Sequence, residues 1–415
     1  MIRKKEFWIT VSLINLCIVA LLGFGLRSKI LFPISFIDYR NLLSAHSHFA
    51  FSGWAGLALM TLMIHEILPT ELSGKKTYAW LLTGVHISSL GMAIIFPFYG
   101  YNVFSLFFST LYIAVTVVFA PIFVFDVVNT HKSRLVKLLS ISAIICLILS
   151  YLGTMGLVYI LSSKSGNSLL YRDSIYTFLH FQYNGFFTLA IFALFYNHLI
   201  KKGLVPGRGA FKFSMILCLS VLPSLFLALL WHNNMMFYIF ASIGCLLILL
   251  SIVYFFGSLK NIKASSIFSI SLARTLLVFA AFSFVAKMVL NAGTIIPSLG
   301  DAVYGDRPVI IGFLHLIFLG FMSFYILAVY IEQGIFTMRD RLLKFPIFVF
   351  TAGIFLNELI LFLQGLVILL KFNSEIFKWL LWLAAIVLFA GACMMVVARI
   401  KVHAKKKDTA DTVSS

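Results

Sequence analysis

The stretch that decides the fold runs from Arg40 to Leu62 and reads RNLLSAHSHFAFSGWAGLALMTL. It is apolar over a length that can cross the hydrocarbon core of a bilayer as a helix. His46 and His48 lie near one end, and an imidazole at that depth needs a partner such as a metal, a haem iron, another polar group or water. Residues two apart in a helix point about 200° away from each other. We therefore expect the two histidines to face different neighbours.

The rest of the chain repeats this apolar character. Hydrophobic residues make up 61% of the 415 positions, charged residues make up 11%, and the mean hydropathy is +1.04. Apolar runs of roughly 20 residues are typical of a polytopic membrane protein. We predict an all-α fold in which residues 1–402 form a single domain and residues 403–415 form a disordered cytoplasmic tail. Its twelve transmembrane helices fall at about 7–32, 42–66, 78–99, 102–128, 136–162, 172–199, 211–231, 235–257, 267–291, 308–332, 343–370 and 376–399.

The net charge of +18 does not indicate a nucleic-acid partner, because the charges fall in short loops on alternate sides of the membrane. With the N-terminus in the cytoplasm, twenty-three of the lysines and arginines lie on the inner side and eight on the outer side. This is the positive-inside pattern, and it predicts that both termini face the cytoplasm of a bacterial inner membrane. The five cysteines all lie in apolar runs without a C-x-x-C spacing, so neither a disulfide framework nor a zinc site is indicated.

Further histidines fall at the depth of the first pair. His180 in span six and His315 in span ten lie within about 12 Å of the outer ends of their helices, and His232 lies at the outer end of span seven. Five of the ten histidines thus gather in the outer third of the membrane on four helices. Three arginines stand at the outer mouths of spans two, six and ten, each beside an aspartate: Arg40, Arg172 and Arg307. Such arginines suit anionic haem propionates, or they anchor helix ends at the lipid headgroups.

Two deep charges stand apart from this group. Lys287 lies in span nine and Glu358 in span eleven. They either pair with each other or belong to a proton route, and the sequence leaves both interpretations open.

These residues, in this order, resemble the catalytic-subunit superfamily of haem–copper oxidases and nitric oxide reductases. That family has twelve spans with both ends in the cytoplasm and a haem-ligand histidine at the outer end of helix two. Here His46 or His48 falls on that position. The family also carries an H-x-H in helix ten, and here His315 is present while Phe313 stands where the first histidine would be. His315 aligns with the second histidine because Gly320 follows it by five residues, as Gly53 follows His48.

The resemblance implies a b-type haem held by two imidazoles. The ligands would be His48, with His46 as the alternative, and His315 of span ten. The outer arginines Arg40, Arg172 and Arg307 would contact the propionates.

The resemblance also implies a metal site in helices six and seven, and here the chain departs from the family. His180 matches the helix-six histidine, but Tyr183 follows it by three residues rather than four. His232 matches the first histidine after helix seven, and Asn233 replaces the second. Two completions stay open: His46 ligating a second haem, or Asn233 or water completing a copper or non-haem iron site with His180 and His232.

The function that follows is electron transfer, with or without the reduction or sensing of a diatomic gas (O2 or NO). Whether the protein is an enzyme is left open; if it is one, it is an oxidoreductase of the terminal oxidase or nitric oxide reductase kind. Membrane lipid is an expected partner, and electrons would come from a partner subunit or a quinol. Two other functions remain: a cofactor-free transporter or channel with a histidine-lined outer cavity, and a redox-inert assembly subunit.

Overall fold

The computed structural model describes residues 4–163, 165–260, 262–336, 341–370 and 374–414. Within these ranges, twelve helices are long and apolar enough to cross a membrane, and no strand is formed. The prediction of an all-α polytopic membrane protein is therefore confirmed. The helices are α1 Lys5–Leu31, α2 Tyr39–Ile67, α3 Lys76–Tyr99, α4 Val103–Val128, α5 Arg134–Ser163, α6 Ser168–Lys201, α7 Gly209–His232, α8 Met235–Leu259, α9 Ser271–Gly293, α10 Arg307–Glu332, α11 Arg341–Leu369 and α12 Ile376–Ser414.

Neighbours in sequence pack against each other along the bundle, and α12 packs against α1. Three short helices lie in the connections, at Thr70–Ser73, Ala264–Ile267 and Pro297–Gly305. The last helix continues to Ser414, through the segment for which the sequence predicts disorder. Its alanines and lysines are good helix formers, and they continue the helix already begun in the bundle. Ser415, the end of the predicted tail, lies outside the described residues.

Asp and Asn side chains cap four of the even-numbered helices at the end of the bundle that carries the outer histidines. Asp38 accepts hydrogen bonds from the backbone N–H groups of Arg40 and Asn41 and so caps α2. Three asparagines cap α4, α6 and α8 in the same way: Asn102, Asn167 and Asn234. Because these side chains satisfy the first free N–H groups of each helix, the sequence sets where these spans begin.

Three helices, α2, α6 and α10, form the centre of the bundle. Their halves nearer the lysine- and arginine-rich end are completely buried, over residues 52–64, 180–197 and 320–331; we name these the packed halves. The preceding segments, 39–49, 168–179 and 307–319, keep partial exposure at most positions; we name these the open halves. In Arg307–His315 no residue is fully buried. The open halves of the central helices are therefore less closely packed than the packed halves.

Each central helix changes from α to π geometry just after a histidine. The wide turns occupy Ala50–Gly56 in α2, Phe181–Phe187 in α6 and Leu316–Ser323 in α10. Each contains a glycine five residues after a histidine: Gly53, Gly185 and Gly320. A Cβ on Gly185 would come 2.4 Å from Cys146 Cβ of α5. π turns are rare and often occur at functional sites, so they mark this level of the bundle as a candidate site.

Ion pairs hold the opposite end, which we name the basic end. Glu66 of α2 binds Lys5 of α1 at 2.8 Å and Lys201 of α6 at 3.3 Å. Glu332 of α10 binds Lys202 of α6 at 2.7 Å. These ion pairs connect the central helices to each other and to α1 at the basic end. They therefore hold in place the helices that bear the histidines.

Candidate functional site

His46 faces α1 from the open half of α2. Its Nδ1 lies 3.1 Å from the carbonyl oxygen of Val19. Because a carbonyl only accepts, Nδ1 carries the proton and the neutral ring presents the lone pair of Nε2. Gly23 leaves room for the ring, since a Cβ there would lie 3.1 Å from His46 Cε1. The ring is deep in the bundle yet keeps accessible surface, as expected for a side chain that lines an internal gap.

His315 has the same hydrogen-bonding pattern on α10. Its Nδ1 donates to the carbonyl oxygen of Ile311 at 2.8 Å, one turn earlier in the same helix. Its Nε2 is therefore the atom with the lone pair, and the ring also keeps partial exposure. His46 lies close enough to His315 to act on it electrostatically. The pair is therefore two imidazoles on two helices, each with Nδ1–H fixed by the backbone.

Arg27 of α1 joins this pair. It lies within electrostatic range of His46 and His315, and also of Arg307 and Tyr39. Arg307 in turn stacks its guanidinium on the ring of Tyr39, 4.8 Å from the centroid. Across the described residues, neither arginine forms an ion pair with a carboxylate. Two neighbouring cations without a counter-charge favour an anion between them.

The open halves of α2 and α10 pack mainly against different helices. Tyr39–Phe49 packs against α1 and α3, whereas Arg307–His315 packs against α11 and the short helix Pro297–Gly305. The contact between Arg307 and Tyr39 spans the space between them at the histidine end. The two Nε2 atoms, which have no hydrogen-bond partner among the described residues, and the two arginines therefore lie where α2 and α10 share few contacts.

His48 points elsewhere, and the prediction that the two histidines face different neighbours is confirmed. Its Nε2 lies 3.0 Å from the hydroxyl of Tyr101, and its ring stacks on Phe96 of α3 with centroids 4.8 Å apart. Burial, and then the neighbouring Tyr171, raise the pKa of Tyr101, so the phenol stays a hydroxyl. The sequence analysis preferred His48 as the haem ligand. These contacts turn its imidazole toward α3 and not toward His315. The alternative, His46, takes that position, because α2 turns only one of the two toward α1 and Arg27.

His180 is hydrogen-bonded through both ring nitrogens. Its Nε2 donates to the carbonyl oxygen of Val221 in α7 at 2.7 Å, and its Nδ1 accepts from Nδ2 of Asn184 at 3.2 Å. The side chain is 1% exposed. It is a satisfied histidine that joins α6 to α7, and it has no free lone pair for a metal.

His232, at the end of α7, binds the carboxylate of Asp173, with Nε2–oxygen distances of 3.0 and 2.9 Å. Asp173 lies about 10 Å from His180 along α6, judged from the rise per helical residue. Asp173 also accepts from Nε1 of Trp231, over whose ring the guanidinium of Arg172 lies at 4.1 Å. Arg172 is therefore held beside α7 and away from His46.

The predicted second metal site is not assembled. His180 and His232 lie at different levels, and the described residues hold no group of three or more His, Cys, Asp or Glu side chains that could bind a metal. Tyr183 packs its ring against Phe313, with centroids 5.8 Å apart. Phe313 thus occupies space beside Tyr183 on the face of α10 where the resemblance implies a ligand.

The side chain of Arg40 is exposed, and within the described residues its hydrogen bonds are made by its backbone, through N–H to Asp38 and through the carbonyl oxygen from Ser44. Of the three arginines predicted to contact one anionic group, Arg307 lies within electrostatic range of Arg27. Arg172 stacks on Trp231, and the side chain of Arg40 is exposed. From the sequence, Arg27 was predicted only to lie on the outer side of the membrane. One signal was present: Arg27 lies four residues after Gly23 and hence on the same face of α1.

The two deep charges do not pair with each other. Lys287 is completely buried, and its Nζ donates to Thr188 Oγ1 at 2.6 Å and to the carbonyl oxygen of Tyr183 at 3.2 Å. Both acceptors belong to the π segment of α6 or the residue after it, where the wide turn frees a carbonyl. Glu358 of α11 accepts from the side-chain amide of its neighbour Asn357 at 3.0 Å.

Comparison of the chain with protein-family models and with curated proteins gives no match.

Proposed function

We propose that the protein binds one b-type haem in a multi-pass membrane bundle, with His46 and His315 as the two axial ligands, and that it transfers electrons. The observation that carries this proposal is the matched pair of Nδ1–H bonds, to Val19 O and to Ile311 O. Histidines that bind a metal almost always donate the other ring N–H to a carbonyl, a carboxylate or water, which fixes the tautomer and aims the free nitrogen.

The surroundings of the pair fit the same group. Arg27 and Arg307 supply two cations for two propionates, and neither has a carboxylate partner among the described residues. Side chains of the open halves of α2 and α10 keep partial exposure, and the two segments pack mainly against other helices, which favours a group bound between them. Iron held by two imidazoles passes single electrons and has no open coordination position.

Electron transfer is favoured over reduction or sensing of a gas, because both nitrogens of His180 are engaged and Phe313 fills the space beside Tyr183. The excess of Lys and Arg at the basic end supports a cytoplasmic position for that end in a bacterial membrane. Electrons would then come from a partner subunit or a membrane quinol.

The test is the absorption spectrum of the detergent-purified protein, oxidised and dithionite-reduced, for three matched histidine variants. His46→Ala and His315→Ala are expected to lose at least about tenfold in low-spin haem absorbance per protein. His48→Ala is the control and is expected to keep the signal, because its imidazole binds Tyr101. Each variant is checked for a monodisperse folded protein by size-exclusion chromatography.

Two outcomes would overturn the proposal. Loss of the signal in His48→Ala with retention in His46→Ala would move the ligand to the other histidine. A wild-type protein that is folded but has no Soret band after haem reconstitution would favour a cofactor-free transporter. Carbon monoxide addition completes the test: an unchanged reduced spectrum is expected, and a shifted spectrum would show an iron that is open to gas.

The arginines give a second, smaller readout. Arg27→Gln and Arg307→Gln are each expected to lower haem retention several-fold, because each removes a charge-assisted contact to a carboxylate. Arg40→Gln is the matched control, since its side chain is exposed at the same end. Equal retention in all three variants would remove the arginines from the site.

A further inference from the structure

An apolar cavity of about 150 Å³ lies between α6, α8, α9 and α10 in the half of the bundle nearer the basic end. Aromatic rings from all four helices form much of its wall: Phe192, Phe255, Phe284 and Phe321. An engineered protein cavity of this size with a similar lining stays dry and takes up apolar guests such as benzene. Hydrocarbon rather than water is therefore the expected content.

The cavity can be reached from the lipid. Val278 of α9 forms part of its wall and is also 54% exposed on the outside of the bundle. The floor is formed by the connection between α8 and α9, through Leu259, Ile262, Ala264 and Ile267. The opening therefore faces the membrane close to the level where the headgroups lie.

Exposed lysines alternate with the floor residues. Lys260 follows Leu259, and Lys263 lies between Ile262 and Ala264, so both are adjacent in sequence to residues that line the cavity; we name these two lysines the rim. In the described part of the chain neither lysine has a carboxylate partner. The first turns of α7 add further positive charge beside α8, where Lys212 Nζ lies 5.7 Å from the ring centroid of Tyr254.

The carboxylate that reaches this connection is already engaged. Glu332 binds Lys202 at 2.7 Å and accepts from the backbone N–H groups of Ser269 and Ile270. Its negative charge is therefore balanced away from the rim. The rim therefore keeps a net positive charge next to the apolar cavity.

We propose that this cavity and its rim bind one anionic glycerophospholipid from the leaflet at the basic end. One acyl chain enters between α8 and α9, and the phosphate lies against Lys260 and Lys263. The positive-inside rule accounts for lysines at this surface in general, but not for their position on the rim of a dry apolar cavity. Basic pockets between transmembrane helices recognise anionic headgroups, and a membrane lipid supplies the charge and the hydrocarbon in one molecule.

The test measures lipid retention by native mass spectrometry on the full chain in detergent. The protein is incubated with equal amounts of phosphatidylglycerol and phosphatidylcholine that carry identical acyl chains. The wild-type protein is expected to retain phosphatidylglycerol preferentially. Lys260→Gln with Lys263→Gln is expected to lower that preference roughly thirtyfold, since each basic residue contributes several-fold to anionic-lipid affinity.

Two further variants test the hydrocarbon part. Ala281→Phe fills the cavity, and Val278→Trp blocks its mouth at an exposed position that tolerates bulk. Both are expected to lower retention of the two lipids together. Lys76→Gln, an exposed lysine of the same end on α3, is the control and is expected to behave as the wild type.

Four results would overturn the inference. Equal retention of the two lipids by the wild type would remove the headgroup site, and unchanged retention in both cavity variants would remove the acyl-chain site. A dimer that Val278→Trp converts to a monomer without a change in lipid retention would identify the surface as a contact between two copies. Competition by free inorganic phosphate, with acyl-chain binding intact, would reduce the site to a simple anion site. The haem spectrum is read on the same samples, so this test fails or succeeds independently of the proposed function.

Discussion

The two halves of the central helices differ in packing, and the open halves are also the more polar in sequence. In the packed halves, residues 52–64, 180–197 and 320–331 are all buried, and carboxylate–lysine pairs tie the helix ends together. In the open halves most residues keep partial exposure, and the Nε2 atoms of His46 and His315 have no hydrogen-bond partner in the part of the chain that the structure describes. The π turns that follow His48, His180 and His315 begin at or near the boundary between the two regions, and α2 has a further π turn, Met63–Ile67, at the basic end.

This difference teaches how a membrane bundle accommodates a polar site. Ion pairs and close packing at the basic end carry the stability, so the other end can leave space between helices. Unfilled space costs dispersion contacts, and a buried imidazole without a partner costs hydrogen-bonding energy. The proposed haem would remove both costs, because it would cover the open halves and take the two nitrogens.

The largest expected effect compares two phenylalanines of α6 that contact the same ring. Phe187 in the packed half is fully buried, Phe178 in the open half is partly exposed, and their centroids lie 5.8 and 5.6 Å from that of Phe51. Phe187→Ala is expected to lower the free energy of unfolding by about 3–5 kcal/mol. Phe178→Ala is expected to cost less than half as much. Unfolding in mixed detergent–SDS micelles measures both, and equal losses would contradict the division into halves.

A second prediction concerns the buried amine of Lys287. Thr188→Val removes its nearer acceptor and is expected to destabilise the protein by about 2 kcal/mol. Lys287→Met replaces the amine with an apolar chain of similar length and is expected to be neutral or stabilising. The double variant should be more stable than Thr188→Val alone. Unfolding free energies of all four proteins give the coupling, and additive losses would argue against this hydrogen bond.

A third prediction contrasts two glycines. A Cβ on Gly185, in the π segment of α6, would meet Cys146 Cβ at 2.4 Å and Sγ at 2.8 Å. Gly185→Ala is therefore expected to cost about 1–3 kcal/mol through overpacking. In the open half of α10, a Cβ on Gly312 would lie 3.4 Å from Leu361 Cβ, so Gly312→Ala should be tolerated. Thermal unfolding in detergent compares the two, and a larger loss for Gly312→Ala would reverse the assignment of packed and open regions.

The smallest expected effect tests the gap itself. Gly23→Ala places a methyl group 3.1 Å from His46 Cε1 and is expected to shift or broaden the haem absorption while the fold stays intact. Gly25→Ala on the same helix meets Leu42 Cδ2 at 3.5 Å and serves as the control. The reduced spectra of the two variants are compared at equal protein concentration. A spectral change in Gly25→Ala alone would show that the ring of His46 is not the sensitive element.

One histidine–glycine spacing recurs in the three central helices, and it predicts the level at which they change geometry. His48 and His315 are each followed by a glycine after five residues, and the same spacing holds for His180 and Gly185. All three glycines lie in π segments. Spacing therefore marks the level of the π segments. It does not say which histidine at that level is free, because that depends on which carbonyl or amide the neighbouring helix presents.

The sequence by itself determined the twelve spans and the depth of each histidine, because hydropathy and the rise per helical residue are local properties. Only the tertiary structure decided that His46 rather than His48 lies toward His315, that Arg27 replaces Arg40 beside the pair, and that His180 is saturated. Each of these depends on the rotation of one helix against another. Side-chain contacts between helices set that rotation, and residues far apart in the chain supply those contacts.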